Sequence, residues 1–78
     1  MRRFYFHLRT QEGLEEDLEG SELETPELAI EEAKQAAREM MAEKVAKGEV
    51  VDGTQFEIMD EEDVTIAVLP LKSVVRIE

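Results

Sequence analysis

The sequence predicts an α+β domain with the element order β-β-α-β-β, in which one long helix packs across one face of a four-stranded antiparallel sheet. Three observations support this prediction. Apolar and polar residues alternate in a segment at the start, a capped amphipathic segment lies in the middle, and two apolar segments after it flank an acidic turn. The chain has 78 residues, without an internal repeat or a linker-like stretch. We therefore expect a single domain over residues 1–78.

The first predicted strand covers residues 3–9, where apolar and polar residues alternate with the period of a half-buried strand. The side chains that point away from the core are those of Arg3, Tyr5, His7 and Arg9. A turn at residues 10–13 leads into a return strand at 14–18, which contains Glu15, Glu16 and Asp17 in succession. Three adjacent acids predict an edge position, because charge on an edge strand discourages pairing with other chains.

A helix is predicted from Pro26 to about Lys47, with Thr25 as its N-cap and Gly48 as its stop. At 100° per residue, one apolar stripe faces the sheet, and its members are Ala29, Ile30, Ala33, Ala36, Ala37, Met40 and Met41. The alanines allow the helix to approach the sheet closely. The methionines fill irregular space beside them.

The third predicted strand covers residues 54–59, and residues 60–63 form an acidic turn. Residues 64–69 are apolar on both faces except for Thr65, so we expect the fourth strand at the centre of the sheet, ended by Pro70. Residues 73–77 fit either a short strand or one helical turn. The second face of the sheet is expected to include Ala67 or Leu69.

The charge of the chain excludes several classes of function. The formal net charge is -11, and residues 11–33 hold ten acidic residues and no Lys or Arg. Such a molecule repels a phosphate backbone and an anionic membrane surface, so we expect neither nucleic acid nor membrane as a partner. The acidic stretch is interpreted as a solvated surface. The alternative is a docking surface for a basic protein or a mimic of nucleic-acid charge.

The residues offer little catalytic chemistry. The sequence has no Cys, one His, and only Ser21 and Ser73 as serines, both in turn-like contexts where bonding to local backbone is usual. The acidic clusters at 15–17 and 60–63 have the wrong spacing for a calcium loop. We therefore predict no enzyme activity, no cofactor and no metal site, while a minimal metal or ligand site using His7 stays as a further alternative.

A homodimer is the association that the sequence favours. A core of this size contributes only about 3 to 5 kcal/mol to stability, so burial of the second sheet face would help to stabilise the fold. The candidate interaction surface comprises Arg3, Tyr5, His7, Arg9, Glu15, Glu16 and Asp17, with Tyr and Arg as interface anchors. The simpler interpretation is that the side chains of the first strand, Arg3, Tyr5, His7 and Arg9, form a solvated face that is bridged to Glu57 on the third strand.

Several short motifs resemble a family of small bacterial proteins described as domains of unknown function, abundant in alphaproteobacteria and notably rhizobia. These are residues 3–9 (RFYFHLR), Gly13, the pattern Asp17-x-Glu19-Gly20-x-Glu22-Leu23, the repeat of Ala29, Ala33 and Ala37-Arg38-Glu39, and the ending Leu69-Pro70. Relatives are expected to have Pro-Asp after the leucine, where this chain has Glu24-Thr25-Pro26, which would shift the start of the helix. The resemblance covers essentially the whole chain and implies no activity or catalytic residue.

A weaker likeness, in the order of strands and the Ala-rich helix, is to the partial ribonuclease-H-like domain of antitoxins, which implies a partner-neutralising role by analogy of fold. The sequence thus predicts a cytoplasmic, non-enzymatic interaction or regulatory module that associates with itself. The alternative is an antitoxin-like protein that masks a basic partner through residues 11–33.

Overall fold

A computed structural model describes residues 2–49 and 53–74 of the chain. The elements in order are β1 (Arg2–Thr10), β2 (Gly13–Glu15), β3 (Ser21–Leu23), α1 (Pro26–Ala46), β4 (Gln55–Met59), β5 (Thr65–Pro70) and a 3₁₀ turn (Leu71–Val74). The predicted α+β class and the strand-helix order are confirmed. The described strands number five instead of four. Of the return strand predicted at 14–18, only residues 14 and 15 are strand, as part of β2, and β3 was not predicted.

All strand pairs in the sheet are antiparallel. β4 pairs with β1 on one side and β5 on the other, while β2 and β3 pair with opposite ends of β1. The described part of the molecule measures 38 × 28 × 16 Å. Its smallest dimension fits two layers, one helix and one sheet, because packed layers lie about 10 Å apart.

The core lies between α1 and the sheet. Phe4 and Ile58 from the two central strands and Leu71 from the 3₁₀ turn are fully buried. Three alanines of the helix meet them, and these are Ala29, Ala33 and Ala37. The predicted apolar stripe is therefore confirmed, with its larger members partly buried against the same core. Small side chains on the helix leave room for the bulky ones on the sheet.

The ends of α1 follow the predicted signals. The Thr25 side-chain oxygen accepts a hydrogen bond from the Leu28 N–H at 3.2 Å, which satisfies one of the free donors of the first turn. At the other end, Gly48 has φ of 71°, and the next residue donates its N–H to the Lys44 carbonyl at 2.9 Å. Such a left-handed residue closes a helix in a Schellman motif, and Gly adopts it without a Cβ penalty.

The predicted position of the fourth strand was wrong. β5 is at the edge of the described sheet, and β1 and β4 are central. The apolar sequence of β5 suggested burial on both faces, yet Val68 is 50% exposed. Ala67 and Leu69 also face the helix instead of the second face of the sheet, since they pair with the buried Ile58 and Phe56. Val68, opposite Glu57, and Pro70, opposite Gln55, are the apolar residues of β5 on the second face.

The acidic turn at 60–63 closes the hairpin of β4 and β5. The Asp60 carboxylate accepts the N–H groups of Glu62 and Val64 at 2.8 and 3.0 Å, and Asp63 has φ of 62°. Of the undecided segment 73–77, Ser73 and Val74 belong to the 3₁₀ turn, and 75–77 lie outside the described residues. Among the described residues, no helix is long and apolar enough to cross a membrane.

Candidate interaction surface

The face of the sheet opposite α1 is the candidate surface, and no described helix or strand packs on it. We call it the open face. Cross-strand partners share a face, so the register assigns its members as Arg3, Tyr5, His7 and Arg9 of β1, Leu14 of β2, Glu22 of β3, Gln55, Glu57 and Met59 of β4, and Thr65, Val68 and Pro70 of β5. The structure thus brings the predicted stripe of β1 together with side chains from the neighbouring strands.

An ion pair crosses the middle of the open face. Arg9 Nε donates to Glu57 Oε2 at 2.6 Å, its Nη2 lies 3.3 Å from Oε1, and Gln55 Nε2 adds a bond to Oε2 at 3.3 Å. The Glu57 side chain is only 17% exposed. The hydrogen bond from Arg9 holds the pKa of the Glu57 carboxyl below its ordinary value, against the opposing effect of burial, and the same bond raises the pKa of Arg9. The predicted bridge from the stripe to Glu57 is confirmed.

Arg3 is also engaged within the chain. Its Nη2 donates to Glu22 Oε1 and its Nη1 donates to the Glu19 carbonyl, both at 2.7 Å. The two arginines of the open face are therefore each matched by a carboxylate across a strand pair. Their charges balance on this surface, so the net charge of -11 arises from the rest of the chain.

Tyr5 and His7 form the aromatic part of the open face. Their rings are stacked, with centroids 6.2 Å apart and planes at 14°. Met59 lies opposite Tyr5 and is half-buried, and Val68 lies beyond Glu57 on the outer strand. Apolar and aromatic side chains thus alternate with paired charges across adjacent strands, which is a composition typical of protein interfaces.

Asp17 fastens the loop between β2 and β3 to β1. Its carboxylate accepts the Phe6 N–H and the Gly20 N–H, both at 3.1 Å, while its own N–H donates to Nδ1 of His7 at 3.0 Å. Because Nδ1 is the acceptor, the ring proton of neutral His7 is on Nε2. We call these three bonds the Asp17 clasp. Asp17 and Nδ1 of His7 are therefore both engaged in holding this loop against β1.

Gly20 completes this loop with φ of 71°. A Cβ at this position would lie 2.9 Å from the Phe4 carbonyl oxygen and 2.9 Å from the Tyr5 ring. The loop therefore runs closely past the outward-facing side chains of β1. The clasp was not predicted, although the Asp17-x-Glu19-Gly20 spacing, an Asp three residues before a Gly, is the signal that indicates such a turn.

The remaining predicted residues lie apart from the stripe. Glu15 pairs with Leu8, so it is on the helix side of the edge, and Glu16 is exposed in the loop. Neither makes an ion pair with another described residue. The structure thus separates the predicted surface into the open face, with its four β1 side chains, and an acidic edge.

Other chemistry is sparse in the part of the chain that the structure describes. No group of three or more His, Asp or Glu residues there is arranged to hold a metal ion. The Ser73 hydroxyl donates to the Pro70 carbonyl at 2.6 Å, as predicted for a serine in a turn. A groove of about 190 Å³ at the end of α1 is lined by Met40, Glu43, Lys44, Lys47 and Glu49. Small-molecule sites usually measure about 300 Å³ or more.

Comparison with known proteins places the chain in a family without supplying an activity. No curated protein matches the sequence, and no solved structure matches it. A family model matches residues 3–72, from β1 to the 3₁₀ turn. This range contains the whole helix and all of the described strands except Arg2. The chain belongs to the family described as a domain of unknown function, DUF6894.

Proposed function

We propose that this protein is a non-enzymatic interaction module that associates with a second copy of itself through the open face. The observation that carries the proposal is the uncovered second face of the sheet, where Tyr5, His7, Met59 and Val68 lie on adjacent strands. In a two-layer α+β domain, one side of the sheet is left without a packing partner. A second copy supplies the missing layer.

Charge supports a second copy as the occupant. Arg3 and Arg9 balance Glu22 and Glu57 on the open face, while the excess acids lie on the helix, the edge and the turns. Two copies that meet by this face hold their acidic surfaces apart.

The size of the face is sufficient. Four strands about 4.8 Å apart, with about six residues each at about 3.3 Å per residue, give a projected area of roughly 380 Å². With side-chain relief, two copies bury on the order of 1,000 Å², which is the lower end for specific interfaces.

The proposal includes a cytoplasmic location in a bacterium. The resemblance of the motifs to small bacterial proteins supports the origin. The lack of enzyme activity is part of the same proposal, since the open face holds one His, whose Nδ1 is occupied by the Asp17 clasp.

Light scattering of the intact chain over a micromolar concentration series tests the open face. We expect Met59→Lys to halve the assembled mass, because a new cation then lies within the interface. Val45→Lys is the control, since Val45 is 70% exposed on the helix. Leu14→Lys, at the margin of the open face, is a second variant in case Met59→Lys fails to fold. A wild-type mass of 8.9 kDa at all concentrations would refute self-association.

A second candidate function is the masking of a basic partner, as in antitoxins. Glu15, Glu16, Glu19 and Glu24 are exposed and form no ion pair within residues 2–49 and 53–74, which favours this alternative. Its test is pull-down from a lysate at low salt and at about 0.5 M salt, where the Debye length is a few Å. Captured proteins that stay bound at high salt would argue against an electrostatic partner.

A further inference from the structure

The two edges of the sheet are protected to very different degrees. The edge beside β1 is formed by two strands of three residues, is interrupted by the Asp17 clasp and carries Glu15 and Glu22. Short strands, charges and interruptions of this kind prevent pairing between sheet edges. β5 forms the other edge with six residues, none of them charged, and no described residue pairs with its outer side.

β5 therefore presents backbone donors and acceptors to a partner. Val64 and Val68 are 53% and 50% exposed, so apolar surface accompanies the free backbone groups. Pro70 lacks an N–H, but it is the last residue of the strand and leaves the preceding positions able to pair. An uncharged edge of this length is suited to addition of an antiparallel strand.

The charges at the two ends of β5 are complementary. The acidic turn at 60–63 comes immediately before the strand, and Lys72 comes two residues after it. Lys72 is exposed and makes no ion pair with any residue that the structure describes. An antiparallel partner with the same sequence places its basic end beside the acidic end of the first copy.

We propose that β5 pairs antiparallel with β5 of a second copy, around a two-fold axis perpendicular to the sheet. A register centred on Ala67, in which this residue lies opposite its own symmetry mate, keeps cross-strand partners on one face and places Lys72 of each copy opposite Glu62 of the other. The interface thus contains backbone bonds, apolar side chains and two symmetric contacts of opposite charge. It adds a second interface to the proposed self-association on which it rests, and it uses backbone groups that the open face does not use.

The test is a dilution series of the full chain in the analytical ultracentrifuge. We expect Lys72→Glu to weaken one dissociation step roughly tenfold or more, because both inter-copy contacts become repulsive. The double variant with Glu62→Lys and Lys72→Glu restores the attraction with exchanged signs. Glu62 is chosen because it is the residue that lies opposite Lys72 of the other copy in this register. Lys34→Glu on the helix is the control for charge alone.

The outcomes separate the two interfaces. Edge pairing is supported if Lys72→Glu weakens assembly, the double variant restores it, and backbone amides of β5 exchange faster in the single variant. Edge pairing is overturned if Lys72→Glu assembles as tightly as the wild type, or if Lys34→Glu weakens assembly equally. Self-association through the open face would be refuted by a different result, namely that Met59→Lys assembles as tightly as the wild type. A monomeric wild-type chain overturns both.

Discussion

The Asp17 clasp makes a sharp prediction about stability. In Asp17→Ala, the N–H groups of Phe6 and Gly20 lose a charged acceptor that lies 3.1 Å from each. Hydrogen bonds to charged groups contribute about 1.5 to 3 kcal/mol each. Because Asp17 is half-buried, water replaces part of this contribution. We expect a loss of about 2 kcal/mol in the free energy of unfolding, from the low end of that range.

Urea denaturation followed by circular dichroism measures this loss. The midpoint should fall while the slope with denaturant stays the same, because the folded and unfolded surfaces change little. Asp17→Asn keeps one oxygen acceptor and should lose about half as much. Glu16→Ala is the matched control, since its exposed side chain makes no ion pair or hydrogen bond with another described residue, and it should change stability by less than about 0.5 kcal/mol.

Amide exchange gives a second measurement on the same variant. The Phe6 N–H should exchange faster in Asp17→Ala than in the wild type, because it no longer has its acceptor. If Asp17→Ala is as stable as Glu16→Ala and protects the Phe6 amide equally, the clasp does not hold the loop. The inference that Asp17 contributes to folding would then be wrong.

Three further predictions concern single positions. Gly20→Ala should destabilise the fold by at least about 1 kcal/mol more than Gly48→Ala. Both glycines have φ of 71°, but only Gly20 has backbone within 3 Å of the position that a Cβ would take. Thermal unfolding of the two variants measures the difference. Ala33→Leu should cost about 1 to 3 kcal/mol in denaturant unfolding, while Ala42→Leu on the exposed side should cost little, and equal effects would contradict the packing of α1 on the sheet. The folded-state pKa of Glu57 lies below its ordinary 4.5, so its pair with Arg9 stabilises the fold above that pH and loses this contribution as the pH falls through the folded value. The stability difference between the wild type and Glu57→Gln should therefore shrink in urea titrations below pH 4.5, and a constant difference would exclude this linkage.

The features of the fold that were predicted are those encoded within a few neighbouring residues. The cap at Thr25 and the left-handed stop at Gly48 are local conformational preferences, and they define α1 nearly to the residue. The alternation in β1 depends only on the two-residue period of a strand, so the facing of Tyr5 and His7 followed from it. The ion pair between Arg9 and Glu57 needed the additional step that β1 and β4 are neighbours.

The candidate site was predicted less completely. The β1 stripe was found from the sequence, but its partners Met59 and Val68 depend on the register of β4 and β5, which no local pattern specifies. The role of Asp17 in the clasp was not predicted either, because its bond to Phe6 joins residues eleven apart across a strand edge. The contiguous acids at 15–17 suggested one surface. In the structure, pairing of β2 with β1 places Glu15 on the helix side of the edge, whereas Glu16 and Asp17 lie in the loop.

The sequence by itself determined which segments become helix and strand and which side of β1 and α1 is apolar, because these depend on periodicity and on capping within one or two turns. Only the tertiary structure decided that β5 lies at an edge, that Ala67 and Leu69 face the helix, and that Asp17 fastens the loop. The physical reason is that strand order and register arise from pairing between distant segments. Their free energy depends on which surfaces are buried together, and the composition of one segment does not contain that information.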